Sequence, residues 1–150
     1  MKKISKAKKE ELAKIALDMR KMAYVPFSHH AVGAALLAKD GRIFTGCNVE
    51  NSAYGPTICA ERTAFVKAVS EGAKEFDAIA IAGGFYPGEP ETYCAPCGIC
   101  RQVMVEFCDK NFAVILAKAP KDYKEYELEE IMPLGFKIED VATGTYAERK

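Results

Sequence analysis

Two short stretches carry residues that could do chemistry together: Cys59-Ala60-Glu61 and Pro96-Cys97-Gly98-Ile99-Cys100. Each falls where a helix is expected to begin. Cys59 precedes an apolar run at helical spacing, and Pro96 can open the next helix. Unpaired backbone N–H groups and the macrodipole at such helix starts stabilise thiolates. Three thiolates could therefore meet at one zinc ion. A structural zinc site closes all four positions with protein ligands, whereas a catalytic one keeps a position for water. Here three cysteines have obvious spacing and a fourth ligand does not. Glu61 is too near Cys59 in sequence to share its metal comfortably, but it can reach a water on that metal as a proton shuttle. The competing reading is a structural zinc knuckle of Cys97 and Cys100, completed by Cys94 or His30, with Glu61 an ordinary first-turn carboxylate. The CxxC spacing does not separate the two; the Cys59-Ala60-Glu61 element moves the weight toward catalysis.

The elements that must position these residues follow from hydrophobic spacing. From Lys6 to Ala23, Leu12, Ile15, Ala16, Met19 and Met22 or Ala23 recur every three or four residues, which predicts an amphipathic helix. Pro26 then places Tyr24 to Ser28 in an exposed loop. The apolar run Ala31 to Ala38, the turn at Asp40-Gly41 and the stretch from Arg42 to Val49 predict an antiparallel hairpin. A turn-rich loop over Asn51 to Pro56 leads to a helix over Cys59 to Glu71, with Ala60, Ala64, Phe65, Ala68 and Val69 at helical spacing and Gly72 as its stop. Phe76 to Ala82 reads as a strand, Gly83 to Ala95 as a loop, and the helix after Pro96 should turn Ile99, Val103, Met104 and Phe107 inward. Phe112 to Ala117 is a buried strand. Beyond Lys121 the pattern weakens to a short helix over Tyr126 to Met132 and a turn at Pro133 to Phe136. A strand, a helix and a strand with this crossover length favour parallel pairing beside the antiparallel hairpin, hence a mixed sheet covered on both faces: an α/β fold of three layers, α/β/α.

Composition bounds the partners. A chain of 150 residues, 49% hydrophobic, can bury one core but does not suggest two, so residues 1–150 are expected to form one domain. Lysine plus arginine and aspartate plus glutamate each total 21, so no net field favours nucleic acid or an anionic membrane. The basic stretch Met1 to Lys9 lacks the apolar region of a signal peptide, and the apolar runs are far shorter than a membrane span. A cytoplasmic protein with reduced, metal-binding cysteines is the expectation, with Cys47 and Cys108 as small buried hydrophobes.

The residues resemble the cytidine deaminases, in particular the short homotetrameric, zinc-dependent type. The matching segments are Pro26-Phe27-Ser28, Val32 to Leu36, Asn48-Val49-Glu50-Asn51, Cys59-Ala60-Glu61-Arg62 and Pro96 to Gln102, in that order along most of the chain. The resemblance implies a mixed five-stranded sheet and hydrolytic deamination of cytidine and deoxycytidine to uridine and deoxyuridine, cleaving the C–N bond of a cyclic amidine in pyrimidine salvage. It implies one zinc ion per subunit on Cys59, Cys97 and Cys100, with Glu61 moving protons between water, ring N3 and the departing ammonia. Phe27 would lie against the pyrimidine and Asn48 and Glu50 would bind the ribose hydroxyls, with Ala60 also in the substrate site. Ser52 and Tyr54 would contact a neighbour's substrate and Phe136 would cover a neighbour's base. Three thiolates leave zinc with surplus negative charge, and Arg62 is the candidate to offset it by hydrogen-bonding their sulfurs. His30 stands where the family often has an aromatic residue, and Cys94 adds a thiol near the site that is expected to be a plain loop residue.

Three other functions compete. A deaminase acting on nucleic acid would use the same chemistry, but such proteins usually carry a basic groove and often a histidine in place of Cys59. A deaminase of a nucleoside antibiotic shares much of the zinc motif; Phe27 and the Asn48 to Asn51 segment favour the nucleoside. A catalytically silent, zinc-stabilised binding module would have no need of Glu61.

Overall fold

The computed structural model describes residues 4–143, so Met1 to Lys3 of the basic stretch and the last residues of the expected domain lie outside it. Five strands form one mixed sheet in the order β2-β1-β3-β4-β5. They are β1 (His30–Ala38), β2 (Ile43–Cys47), β3 (Phe76–Phe85), β4 (Ala113–Ala119) and β5 (Asp122–Glu127). β1 pairs antiparallel with β2 and with β3, β3 pairs parallel with β4, and β4 pairs antiparallel with β5. The helices are α1 (Lys6–Met19), α2 (Ala60–Ser70), α3 (Gly98–Phe107), α4 (Leu128–Ile131) and α5 (Ile138–Thr143).

Alternation along the strands sorts the two faces by size. One face is mostly alanine, with Ala35, Ala78, Ala80, Ala82, Ala113 and Ala117, and α1 settles on it through Leu12, Ala13 and Ala16. The other presents Leu36, Phe44, Ile79, Ile81, Val114 and Leu116 to α2 and α3. Phe65 of α2 is fully buried there, with Phe76 edge-on at 5.1 Å between ring centroids. This is the three-layer α/β/α arrangement expected, with the single-helix layer opposite the layer that carries the cysteines.

Helix ends follow local chemistry. Ser5 caps α1, its hydroxyl accepting from the Lys8 N–H at 3.2 Å. α2 ends in a left-handed Gly72 at φ +90°, with Gly72 N–H bonded to Val69 and Ala73 N–H to Ala68. Four expectations are corrected. The first helix stops at Met19 and tightens into a 3₁₀ turn over Arg20–Met22, which turns Met22 outward and buries Arg20. Pro96 lies one residue before the Cys97 cap of α3 and does not occupy the first turn. Ile99 is 64% exposed because α3 meets the sheet through Met104 and Val105. The segment Asp122–Glu127 is a fifth strand, and the short helix begins only at Leu128.

Candidate active site

Two helix starts face each other at one end of the sheet. Cys59 is the N-cap of α2, Cys97 the N-cap of α3, and Cys100 lies in the first turn of α3. Neither cap side chain bonds its own helix, which leaves both sulfurs available. The three sulfurs lie within 4.8 Å of one another, with Cys59 to Cys97 at 3.8 Å and Cys97 to Cys100 at 3.5 Å. Sulfurs on a tetrahedral zinc, each at about 2.3 Å from the metal, stand about 3.8 Å apart. The donor set therefore fits zinc in both chemistry and spacing. Neither His30 nor Cys94 joins this group among the described residues, so the knuckle completed by either one lacks its fourth ligand.

The electrostatics suit a thiolate at Cys59. The Cys59 thiol is lowered to about 5, first by its hydrogen bond with Cys100 and also by Arg62, while the same bond and burial push Cys100 up. Arg62 Nη2 stands 3.6 Å from the Cys59 sulfur. Its Nε is buried and is the one such side-chain nitrogen or oxygen without a partner among the described residues. Glu61, 3% exposed, is raised to about 7, chiefly by burial. Cys94 is likewise raised to about 11 by burial, and its sulfur sits 4.0 Å from His30 Nε2.

A cavity of about 530 Å³ is lined by Phe27, Ser28, His30, Asn48, Glu50, Asn51, Tyr54 and Thr57 and by none of the cluster cysteines. Three residues expected at a substrate, Phe27, Asn48 and Glu50, therefore share one wall system with Tyr54. β2 ends at Cys47, short of the Val49 expected, so Asn48 and Glu50 lie beyond it. Val49 between them instead forms single bridges to Tyr24 and Ile58. Their side chains are already engaged. Asn48 Oδ1 accepts from Val32 N–H and its Nδ2 donates to the His30 carbonyl, each at 2.8 Å. Glu50 accepts from the N–H groups of Phe27 and Ser28 and from the Ser28 hydroxyl.

Other expected residues lie outside this lining. Ala60 is fully buried in the first turn of α2, Ser52 is on the exposed 51–56 loop, and Phe136 is half-exposed on the tail, where its carbonyl accepts from Gln102 Nε2 at 2.9 Å. Ser28, Asn51 and Thr57 were not singled out as site residues from the sequence. For Ser28 the available signal was its place in the Pro26-Phe27-Ser28 segment; Thr57, whose hydroxyl accepts from Asn51 N–H at 3.1 Å, offered none.

The family model of the cytidine and deoxycytidylate deaminase zinc-binding region matches residues 6–116. A cytidine deaminase of Sporosarcina psychrophila is 46% identical over 133 residues, which is 89% of this chain and 94% of that protein. The crystal structure of a cytidine deaminase from Burkholderia pseudomallei matches with a TM-score of 0.76 at 41% identity, covering 84% of this chain and 97% of that one. A blasticidin-S deaminase of Bacillus cereus is 32% identical over 129 residues, 84% of this chain and 90% of that protein.

Proposed function

The chain belongs to the cytidine and deoxycytidylate deaminase family, and from that premise we propose that it hydrolyses cytidine and deoxycytidine to uridine and deoxyuridine with release of ammonia, in pyrimidine salvage. The observation that carries this reading is a buried carboxylate, Glu61, one residue into a helix whose cap, Cys59, belongs to a three-sulfur cluster. A silent binding module gives no reason to bury an acid there, since burial penalises its charged form.

Cys59, Cys97 and Cys100 would hold one zinc ion per chain. Zinc held there lowers the pKa of water and so supplies a nucleophile near neutral pH. Glu61 does the proton work: its carboxylate takes the two protons of water in turn and delivers one to ring N3 and one to the exocyclic amine, which leaves as ammonia. Arg62, aimed at the Cys59 sulfur, offsets part of the thiolate charge. Phe27 lies against the pyrimidine, Asn48 and Glu50 meet the sugar hydroxyls, and Ala60 belongs to the substrate site from the first turn of α2.

A homotetramer completes each pocket in this reading, with Ser52 and Tyr54 contacting a neighbour's substrate and Phe136 covering a neighbour's base. Its support is that Tyr54 is 78% exposed and that Phe136 is half-exposed and stands outside its own chain's cavity. No helix among the described residues is long and apolar enough to cross a membrane, and the charge balance argues against nucleic acid. The partner is therefore a small nucleoside, the location cytoplasmic, and residues 1–150 one domain.

The test is loss of the cytosine absorbance band when zinc-loaded protein meets cytidine or deoxycytidine, run beside Glu61→Gln. Turnover by the wild type and none by the variant is expected. Zinc-loaded protein that leaves both nucleosides untouched sinks the reading. Deamination of a nucleoside antibiotic, the alternative supported by the 32% identical blasticidin-S deaminase, then comes first.

A further inference from the structure

Ser28 has no part in the chemistry above, yet its hydroxyl sits at the centre of the polar network in the cavity wall. Glu50, 9% exposed, accepts hydrogen bonds from Phe27 N–H at 3.2 Å, from Ser28 N–H at 3.3 Å and from the Ser28 hydroxyl. The hydroxyl accepts in turn from His30 N–H at 3.0 Å. A serine has one proton to give, and the His30 N–H occupies one of its lone pairs, so that proton is directed onto the carboxylate. The backbone donors persist in any variant at position 28 other than proline. The hydroxyl is the one donor of the three that substitution can remove.

An ionised carboxylate is an acceptor only, and only in that state can both oxygens receive hydroxyl protons from a sugar. Three donors around one carboxylate hold it ionised and in one rotamer, because charge-assisted hydrogen bonds are the strong ones. We infer that Ser28 is a positioning residue for nucleoside binding: its hydroxyl, braced by the His30 N–H, holds Glu50 in the orientation in which the carboxylate meets the sugar. This inference rests on the nucleoside deaminase reading.

Removing the hydroxyl has a signed consequence. The Ser28 hydrogen bond is the largest cause of the lowered Glu50 pKa, with the Ser28 and Phe27 N–H groups and the nearby His29 adding to it. His30 and Tyr54 are the other titratable groups on the same wall. All three are common to wild type and variant, so the difference between the two isolates the hydroxyl. Without it, Glu50 protonates at higher pH.

The experiment measures kcat and KM for cytidine against pH in the wild type, Ser28→Ala and Ser28→Thr, all zinc-loaded. Ser28→Ala should raise KM about tenfold, the worth of a hydrogen bond to a charged group, with a much smaller change in kcat. The Glu50 carboxyl, followed by carbon NMR, should titrate at higher pH in Ser28→Ala, and Ser28→Thr should restore both values. An unchanged KM, a raised KM with the Glu50 titration unmoved, or a threonine variant that behaves like alanine overturns the assignment. Wild-type protein inert toward every cytosine nucleoside removes the function itself, an outcome read before any variant is compared.

Discussion

Gly46→Ala should disable the site from the far side of a helix. Gly46 lies in β2, directly beneath the first turn of α2, and a Cβ at that position would stand 2.7 Å from Ala64 N and closer still to Ala60 O. These are backbone atoms of the helix that begins with Cys59, Ala60 and Glu61, so no side chain can swing away. Ordinary contact begins at about 3.5 Å, so the start of α2 must retreat by about 1 Å. Overpacking of this kind costs about 1 to 3 kcal/mol, or a fall of about 5 °C in Tm for a chain of this size. A 1 Å misplacement of reacting groups costs about a hundredfold in rate. The assay is kcat/KM for cytidine at saturating zinc, beside Tm and zinc content. Gly33→Ala is the comparison, since its Cβ would press equally on α1, standing 2.9 Å from Arg20 N, and α1 carries no cluster sulfur. If Gly46→Ala loses the expected stability but keeps kcat/KM within about threefold, the claim that the α2 start sets reacting geometry to within an ångström is wrong.

Arg62→Gln should lower zinc retention or turnover about 10- to 100-fold, the usual size of effect for a group that supports metal ligands; unchanged zinc content and rate would remove Arg62 from the mechanism. Phe65→Ala should cost about 3 to 5 kcal/mol in denaturant unfolding, since the ring is fully buried against Phe76, Phe107 and Phe112. Glu50, with its pKa lowered first by Ser28, contributes stability that is complete above the ordinary carboxylate pKa and fades as pH falls through the lowered folded value. Glu50→Gln should therefore lose less stability than wild type on acidification from about pH 7 to about pH 3, as read by Tm.

Legibility in the sequence tracked how local the cause was. The hairpin and the start of α2 rest on turn residues and spacing within a few positions, so they could be read directly, and the three cysteines with them, while the start of α3 was placed at Pro96, two residues early. β5 could not, because Asp122-Tyr123-Lys124-Glu125-Tyr126-Glu127 carries no aliphatic residue and becomes a strand by pairing with β4. Ile99 was misplaced because periodicity gives a helix an apolar stripe but not the angle at which it meets a sheet. The buried Arg20 is explained only by carbonyls distant in sequence, those of Ala31, Gly84, Phe85 and Gly88. Asn48 and Glu50 could be named from their segment. Their grip on the 27–32 backbone depends on tertiary contacts no pattern reveals.

The sulfurs of Cys59 and Cys97 meet across 38 positions of chain, and the stretch between them contains α2 and β3, a central strand of the sheet. Any bond that ties the two ends therefore cinches a loop around the middle of the fold. For a loop of that length the chain-entropy value of a cross-link is about 4 kcal/mol. An ion recruited for reactivity would thus also act as a removable rivet. Chelation should then lower the unfolding temperature as well as stop turnover, and the rate at which a chelator strips the protein would measure how often the α2 and α3 ends part.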